Sequence, residues 1–94
     1  MMNSQASVAI ERPERWAKQL VSHLGHKADV TETEAGSKLA LTVGVGHVSV
    51  HDGCVLLKAE APDEESLAKV ENVLGGHLER FAHDHEIKVI WTRG

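Results

Sequence analysis

The chain has 94 residues and carries ten Lys and Arg against fourteen Asp and Glu, for a net charge of −4. Nucleic-acid binding is disfavoured, because it needs clustered positive charge and stacking aromatics, and the aromatic residues present are Trp16, Phe81 and Trp91. No apolar run approaches the roughly 18 residues that span a bilayer, and the N-terminus lacks the pattern of a signal peptide. With a single cysteine, Cys54, the composition predicts one cytoplasmic domain over 1–94, ordered from about 7 to 92.

The first half of the chain predicts a strand, a helix and three further strands. The short segment Ser7–Ile10 favours a strand. Pro13–Leu24 has the apolar spacing of an amphipathic helix, with proline at its first position and Gly25 after its end. Alternating polar and apolar residues then predict strands over 28–33, 38–43 and 47–51.

The second half predicts a hairpin, a long helix and a last strand. Asp52-Gly53 is typical of a two-residue hairpin turn, after which Cys54–Ala61 alternates as a strand. A helix is expected over Glu64–Ala82, because an apolar stripe follows helical spacing through Leu67, Val70, Leu74, Leu78 and Phe81. Ile87–Trp91 predicts the closing strand.

These elements predict an α+β fold. Each helix has one apolar stripe and each strand has one apolar face, which favours a two-layer sandwich. The order is strand, helix, four strands, helix, strand. We expect a mostly antiparallel sheet with both helices on one face.

Histidine is the unusual feature of the composition, with seven residues between Ser22 and Glu86. His23 flanks the apolar stripe of the first helix, His26 follows its end, and His77 flanks the stripe of the second helix. If the helices lie side by side, His23 and His77 meet in the seam between them, and three neutral imidazoles suit zinc or ferrous iron. The simpler interpretation is one histidine that complements the helix dipole and another in a polar loop. No ligand spacing decides between the two.

Gly75-Gly76 interrupts the second predicted helix, where each glycine costs about 1 kcal/mol relative to alanine. One explanation is close packing against the first helix, which leaves no room for a side chain. The other is a local kink that frees a backbone carbonyl and orients His77.

Two further groups of residues are weaker candidates for a functional site. Across the predicted turn, His51 and Cys54 are expected to lie opposite each other on one face of the sheet. A hairpin tip supplies neither the orienting group nor the cleft that cysteine catalysis needs. His83 and His85 are expected in a solvated loop. No nucleophile has an identifiable base, so we expect no enzyme.

A family resemblance extends over most of the chain, from about Ser7 to Thr92. It is carried by ERPERWAKQLVSHLGHK, EAPDEESLAKVENVLGGHLERFA and the closing VIWT. The most specific residues in the two long blocks are Ser22, His23, His26, Lys27, His77, Leu78, Arg80 and Phe81. In these blocks the chain resembles domain of unknown function 2218, a small bacterial family without established activity. Some members are attached to siderophore-interacting reductases, which implies an iron-handling context. His83 and His85 depart from the family pattern, so the resemblance implies nothing for them.

Two hypotheses of function follow. The first is a non-enzymatic binding or accessory domain, in an iron or siderophore context, whose histidine-centred seam binds zinc or iron through His23, His26 and His77. A small anion is the other candidate ligand, with three companion residues expected to help bind it: Ser22, Lys27 and Arg80. The second hypothesis is a structural or protein-interaction module without a ligand.

The second hypothesis predicts a homodimer through the exposed face of the sheet, where three apolar residues are expected to point outward: Ala40, Leu56 and Ile90. Leu56→Glu should then convert the dimer to a monomer without unfolding it. Sedimentation and circular dichroism would show this together. A wild-type protein that sediments as a monomer at high concentration would rule the dimer out.

Overall fold

An antiparallel sheet carries the helices on one of its faces. The computed structural model describes residues 2–26, 28–34, 36–82, 84 and 87–94. The strands are β1 (Met2–Ala9), β2 (Asp29–Thr33), β3 (Gly36–Ala40), β4 (Val45–His51), β5 (Cys54–Ala61) and β6 (Thr92–Arg93). The helices are α1 (Pro13–Leu24), α2 (Glu64–Glu71) and α3 (His77–Phe81), and a π-helical turn (Asn72–Gly76, the π-turn) joins α2 to α3. None of the helices in these ranges is long and apolar enough to cross a membrane.

The sheet has the strand order β2-β3-β4-β5-β1-β6, and each paired strand runs antiparallel to its neighbour. Along the chain the elements follow the predicted order, so the predicted α+β two-layer fold is confirmed. Asp52 and Gly53 both have positive φ, at 50° and 77°, as a tight hairpin turn requires. This turn places His51 directly opposite Cys54.

The core lies between the sheet and the helices. Alternate residues of β1 and β5 are buried on the side that the helices cover. The helices contribute a set of buried side chains to this layer: Leu20, Leu24, Leu67, Val70, Leu74 and Leu78. The other side of the sheet, which we call the open face, presents residues that alternate with the buried ones, among them Gln5, Lys38, His47, Leu56 and Lys58.

The last strand differs from the predicted one. It forms at Thr92–Arg93, so the prediction of a strand at Ile87–Trp91 was wrong. Residues 87–91 pack instead against the π-turn and α3. The backbone N–H of Val89 donates to Glu79 Oε2 at 2.8 Å, and the side chains of Val89 and Trp91 lie against Gly75. The predicted helix over Glu64–Ala82 forms over Glu64–Phe81, with the π-turn inside it.

The buried carboxylate of Glu71 ties the end of α2 to two strands. Glu71 is 9% exposed, and its Oε2 accepts hydrogen bonds from Ser4 Oγ at 2.7 Å and from Arg93 Nε at 3.2 Å. Its Oε1 accepts a third from Arg93 Nη2 at 3.0 Å. The Arg93 guanidinium holds the pKa of the Glu71 carboxyl below its ordinary value, against the opposing effect of burial and with help from the Ser4 hydroxyl. The ionised carboxylate therefore links β1, α2 and β6.

Glu71→Gln should lower the free energy of unfolding by about 2 kcal/mol, because charge-assisted bonds in a largely buried site are lost. Urea denaturation measures this. Glu65→Gln is the matched control, since it removes the same charge from an exposed pair with Lys69 at 3.8 Å. The control should change the free energy of unfolding by less than about 0.5 kcal/mol. Equal losses in the two variants would contradict the role of Glu71.

The same contact predicts a pH dependence. The pKa of Glu71 is lower in the folded than in the unfolded state, so its contribution to stability is fully present above the unfolded-state value. That contribution is lost as the pH falls through the folded-state value. The stability advantage of the wild type over Glu71→Gln should therefore be constant near neutral pH and shrink below about pH 4. An advantage that persists unchanged into strong acid would contradict this.

The two glycines that end the π-turn have different surroundings. A Cβ on Gly75 would lie 3.1 Å from Trp91 Nε1 and 3.2 Å from Val89 Cγ1. A Cβ on Gly76 would meet nothing within 4 Å. Close packing therefore favours glycine at position 75, as one of the two explanations expected. Its packing partner is the 87–91 segment and not α1.

Alanine substitutions should separate the two positions. Gly76→Ala should raise the free energy of unfolding by up to about 1 kcal/mol, because alanine favours the helix and restricts the unfolded chain. Gly75→Ala should be less stable than Gly76→Ala by about 1 kcal/mol or more, because Val89 and Trp91 must move. Thermal unfolding followed by tryptophan fluorescence measures both. Equal midpoints would contradict the packing argument.

Candidate functional site

The seam between α1 and α3 brings together two of the candidate histidines. The ring centres of His23 and His77 are 5.1 Å apart, with the ring planes at 45°. The ring of Phe81 stands edge-on to His23 at 5.1 Å and lies 6.3 Å from His77. We call these three side chains the seam cluster. His23 is exposed and His77 is half-buried, so the cluster lies at the surface of the helical layer.

The backbone after the π-turn orients His77. Its backbone N–H bonds the carbonyl of Leu74, while its ring Nδ1 lies 2.6 Å from the carbonyl oxygen of Val73. A carbonyl oxygen accepts hydrogen bonds and does not donate them, so Nδ1 carries the proton in this bond. In the neutral ring, Nε2 then holds the lone pair. The second explanation for Gly75-Gly76 expected a local distortion of the helix that orients His77 through a backbone carbonyl. The π-turn is such a distortion, and the carbonyl is that of Val73.

His26 lies in a different environment. Its backbone N–H bonds the carbonyl of His23 at 3.4 Å, and the residue borders a shallow cavity of about 520 Å³ beside 28–29 and 40–42. Within the described ranges, no group of three or more His, Cys, Asp or Glu side chains is arranged to hold a metal ion. The structure thus brings together two members of the trio His23, His26 and His77.

Of the three residues expected to accompany an anion, Ser22 and Arg80 lie in the described part of the chain. Ser22 borders a groove of about 350 Å³ that α1 forms with residues of β2, β3 and β4, and no residue of the seam cluster lines this groove. Arg80 is exposed on α3. Lys27 lies outside the described residues, as do His83 and His85. An anion site made of Ser22, Lys27 and Arg80 therefore stays a prediction.

The open face holds part of the apolar patch expected at a dimer interface. Register places Ala40 and Leu56 there, opposite Val45 and Ser49. Ile90 is 71% exposed but precedes β6 and belongs to no strand. The homodimer stays a prediction.

The open face also carries a close contact between a histidine and a glutamate that the sequence did not lead us to expect. His47 Nε2 lies 2.7 Å from Glu60 Oε1, from β4 to β5. Lys58 is the residue directly opposite His47, so the pair is diagonal. A signal for it existed, because pairing outward from the Asp52-Gly53 turn fixes which residues of β4 and β5 are neighbours.

Comparisons with known proteins agree with the fold and with the resemblance of the helical blocks. The NMR structure of PA4090 from Pseudomonas aeruginosa is similar, with 30% sequence identity and a TM-score of 0.79 over 98% of this chain and 96% of that chain. No curated protein matches. Residues 5–92 match the family model described as "Uncharacterized protein conserved in bacteria (DUF2218)". The chain therefore belongs to the DUF2218 family.

Proposed function

We propose that this domain is a binding domain and not an enzyme, and that His23 and His77 of the seam cluster bind a divalent metal ion such as zinc or ferrous iron. The observation that carries the proposal is the 5.1 Å separation of the two imidazole rings. Neutral imidazole suits both ions. An iron-handling role is the context that the family resemblance favours.

The ring separation supports one ion between the two side chains. Imidazole nitrogens bind zinc at about 2.0–2.1 Å, and two rings around one tetrahedral ion then have their centres roughly 5 Å apart. The ring centres of His23 and His77 have this spacing before any ion is bound. Little rearrangement of the helices is therefore needed.

The bond from His77 Nδ1 to the Val73 carbonyl gives independent support. Metal-ligating histidines commonly donate their other ring N–H to a carbonyl or a carboxylate, which fixes the tautomer and the ring orientation. In this protein the bond leaves Nε2 of His77 as the ligating atom. The orientation of His77 by the π-turn therefore supports the proposed site.

Two protein ligands leave coordination positions open. Water or a small external ligand would complete the coordination of the ion, so the metal would be held at the surface and exchange readily. Such a site suits a domain that accepts or passes on an ion. It does not require the base, the nucleophile and the cleft that a hydrolytic enzyme needs.

Zinc titration by calorimetry tests this proposal. His23→Ala and His77→Ala should each weaken zinc binding by about tenfold or more, because each removes one ligand. His51→Ala is the matched control, since it removes an exposed histidine at the tip of the β4–β5 hairpin and should bind as the wild type does. Binding should also weaken on acidification, because only neutral imidazole ligates.

The outcomes separate three cases. Losses confined to the His23 and His77 variants support the two-histidine site. An equal loss of zinc affinity in His26→Ala would identify His26 as a third ligand of the ion. A wild-type protein that binds no zinc and no ferrous iron, or equal binding by all variants, would overturn the proposal.

A further inference from the structure

A groove beside α1 leaves part of the helix-facing side of the sheet uncovered. It has a volume of about 350 Å³ and lies between α1 and the strands β2, β3 and β4. Val48 and Val50 of β4 line it, and as alternate strand residues both face the helical layer. Val48 is buried, but Val50 is 37% exposed, so α1 leaves this end of β4 uncovered. We call this space the α1 groove, and its volume is at the small end of ligand sites, about 300–1,000 Å³.

The helical wall of the α1 groove combines an apolar pair with two hydrogen-bond donors. Ala17 and Val21 line it, and so do Lys18 and Ser22. The members of each pair are four residues apart and therefore lie on one side of the helix. An ammonium and a hydroxyl both donate to carboxylate oxygens. This wall therefore suits a ligand that has a carboxylate beside an apolar group.

The opposite wall carries a carboxylate whose position is fixed. Glu32 of β2 and Ser37 of β3 both line the α1 groove and are directly opposite each other in the sheet. Ser37 Oγ lies 3.0 Å from Glu32 Oε1 and 2.9 Å from Glu32 Oε2, so the hydroxyl donates to the carboxylate and orients it. The carboxylate oxygens keep further lone pairs that can accept from a ligand.

The two opposite charges of the α1 groove do not pair with each other. Lys18 and Glu32 are both exposed, and none of the ion pairs in the described part of the chain involves either residue. The groove therefore separates an ammonium on α1 from a carboxylate on β2. A ligand that satisfies both groups carries a negative and a positive charge of its own.

We infer that the α1 groove binds a free α-amino acid with an aliphatic side chain. The carboxylate of the amino acid accepts from the Lys18 ammonium and the Ser22 hydroxyl, and its ammonium donates to Glu32. Its side chain packs on Val21 and Val50, which removes apolar surface from water on both sides. This site is separate from the seam cluster, so it does not depend on the proposed metal binding.

Ligands with one charge or none fit the α1 groove less well. An aliphatic carboxylate would pair with Lys18 but leave its apolar chain beside Glu32. An aliphatic amine would do the reverse. A peptide chain would bring uncharged backbone amides to both groups, because its own terminal charges are many atoms apart.

An NMR titration of the metal-free protein with L-leucine tests the inference. Leucine should shift the amide signals of Val21, Val48 and Val50. Lys18→Gln and Glu32→Gln should each weaken leucine binding about tenfold, because each removes a charge-assisted contact.

Two analogues of leucine test the charges separately. Isocaproate lacks the ammonium and isoamylamine lacks the carboxylate, so each should bind about tenfold more weakly than leucine. Glu32→Gln should not weaken isocaproate binding further, and Lys18→Gln should not weaken isoamylamine binding further. In each case the ligand already lacks the group that the substituted residue would contact.

Lys38→Gln and Glu65→Gln are the matched controls, because they remove the same charges from exposed positions on β3 and α2 that do not line the groove. Both should bind leucine as the wild type does. His23→Ala should do so too, which keeps this test independent of the metal site. The inference would be overturned by a wild type whose spectrum leucine does not change, by equal losses in the controls, or by analogues that bind as tightly as leucine.

Discussion

The buried carboxylate of Glu71 fixes how the C-terminal segment is held to the helical layer and to the sheet. It holds Ser4 of β1 and Arg93 of β6 to the end of α2. The residues that precede Arg93 run back along the helices. There the backbone N–H of Val89 donates to the Glu79 carboxylate, and the side chains of Val89 and Trp91 lie beside Gly75. The π-turn lies directly against this segment and sets the orientation of His77. One carboxylate thus connects an edge of the sheet to the seam cluster.

Periodicity correctly predicted those helices and strands that can bury only one of their faces. α1 spans Pro13–Leu24 and β5 spans Cys54–Ala61 as expected, because a helical stripe and an alternating run each admit one buried face. The same reasoning failed at Ile87–Trp91. Alternation records which side of a segment is buried but not what buries it, and here a helix covers Val89 and Trp91 where a strand partner was expected. The Glu79 carboxylate takes a backbone N–H that a strand would have offered to its neighbour.

The candidate sites divide along a similar line. His23 and His77 each flank an apolar stripe, so packing two helices on one sheet was sufficient to bring them together. The sequence did not predict the π-turn, because two adjacent glycines permit close packing but do not indicate which segment packs against them. Which residues of β3, β4 and β5 lie side by side depends on the register of three strands. The Asp52-Gly53 turn fixes β4 against β5, but β3 against β4 depends on the 41–44 connection, which is closed by a bond from Leu41 N–H to the Gly44 carbonyl at 2.8 Å. Nothing in the composition of that connection specifies its geometry.

The shortness of β6 has a consequence for how the protein behaves at high concentration. β1 pairs with β5 along its whole length, while in the described part of the chain β6 pairs with Ser4 and Gln5 on the other side. A bare strand edge offers N–H and C=O groups to any extended chain, which is how edge-to-edge aggregation begins. A very short edge strand with a charged side chain blocks this approach, and Arg93 is that side chain, held in place by Glu71. Loosening Arg93 would uncover the backbone edge of β1 at Ser4 and Gln5 while the core is still packed, and a second chain could then pair there.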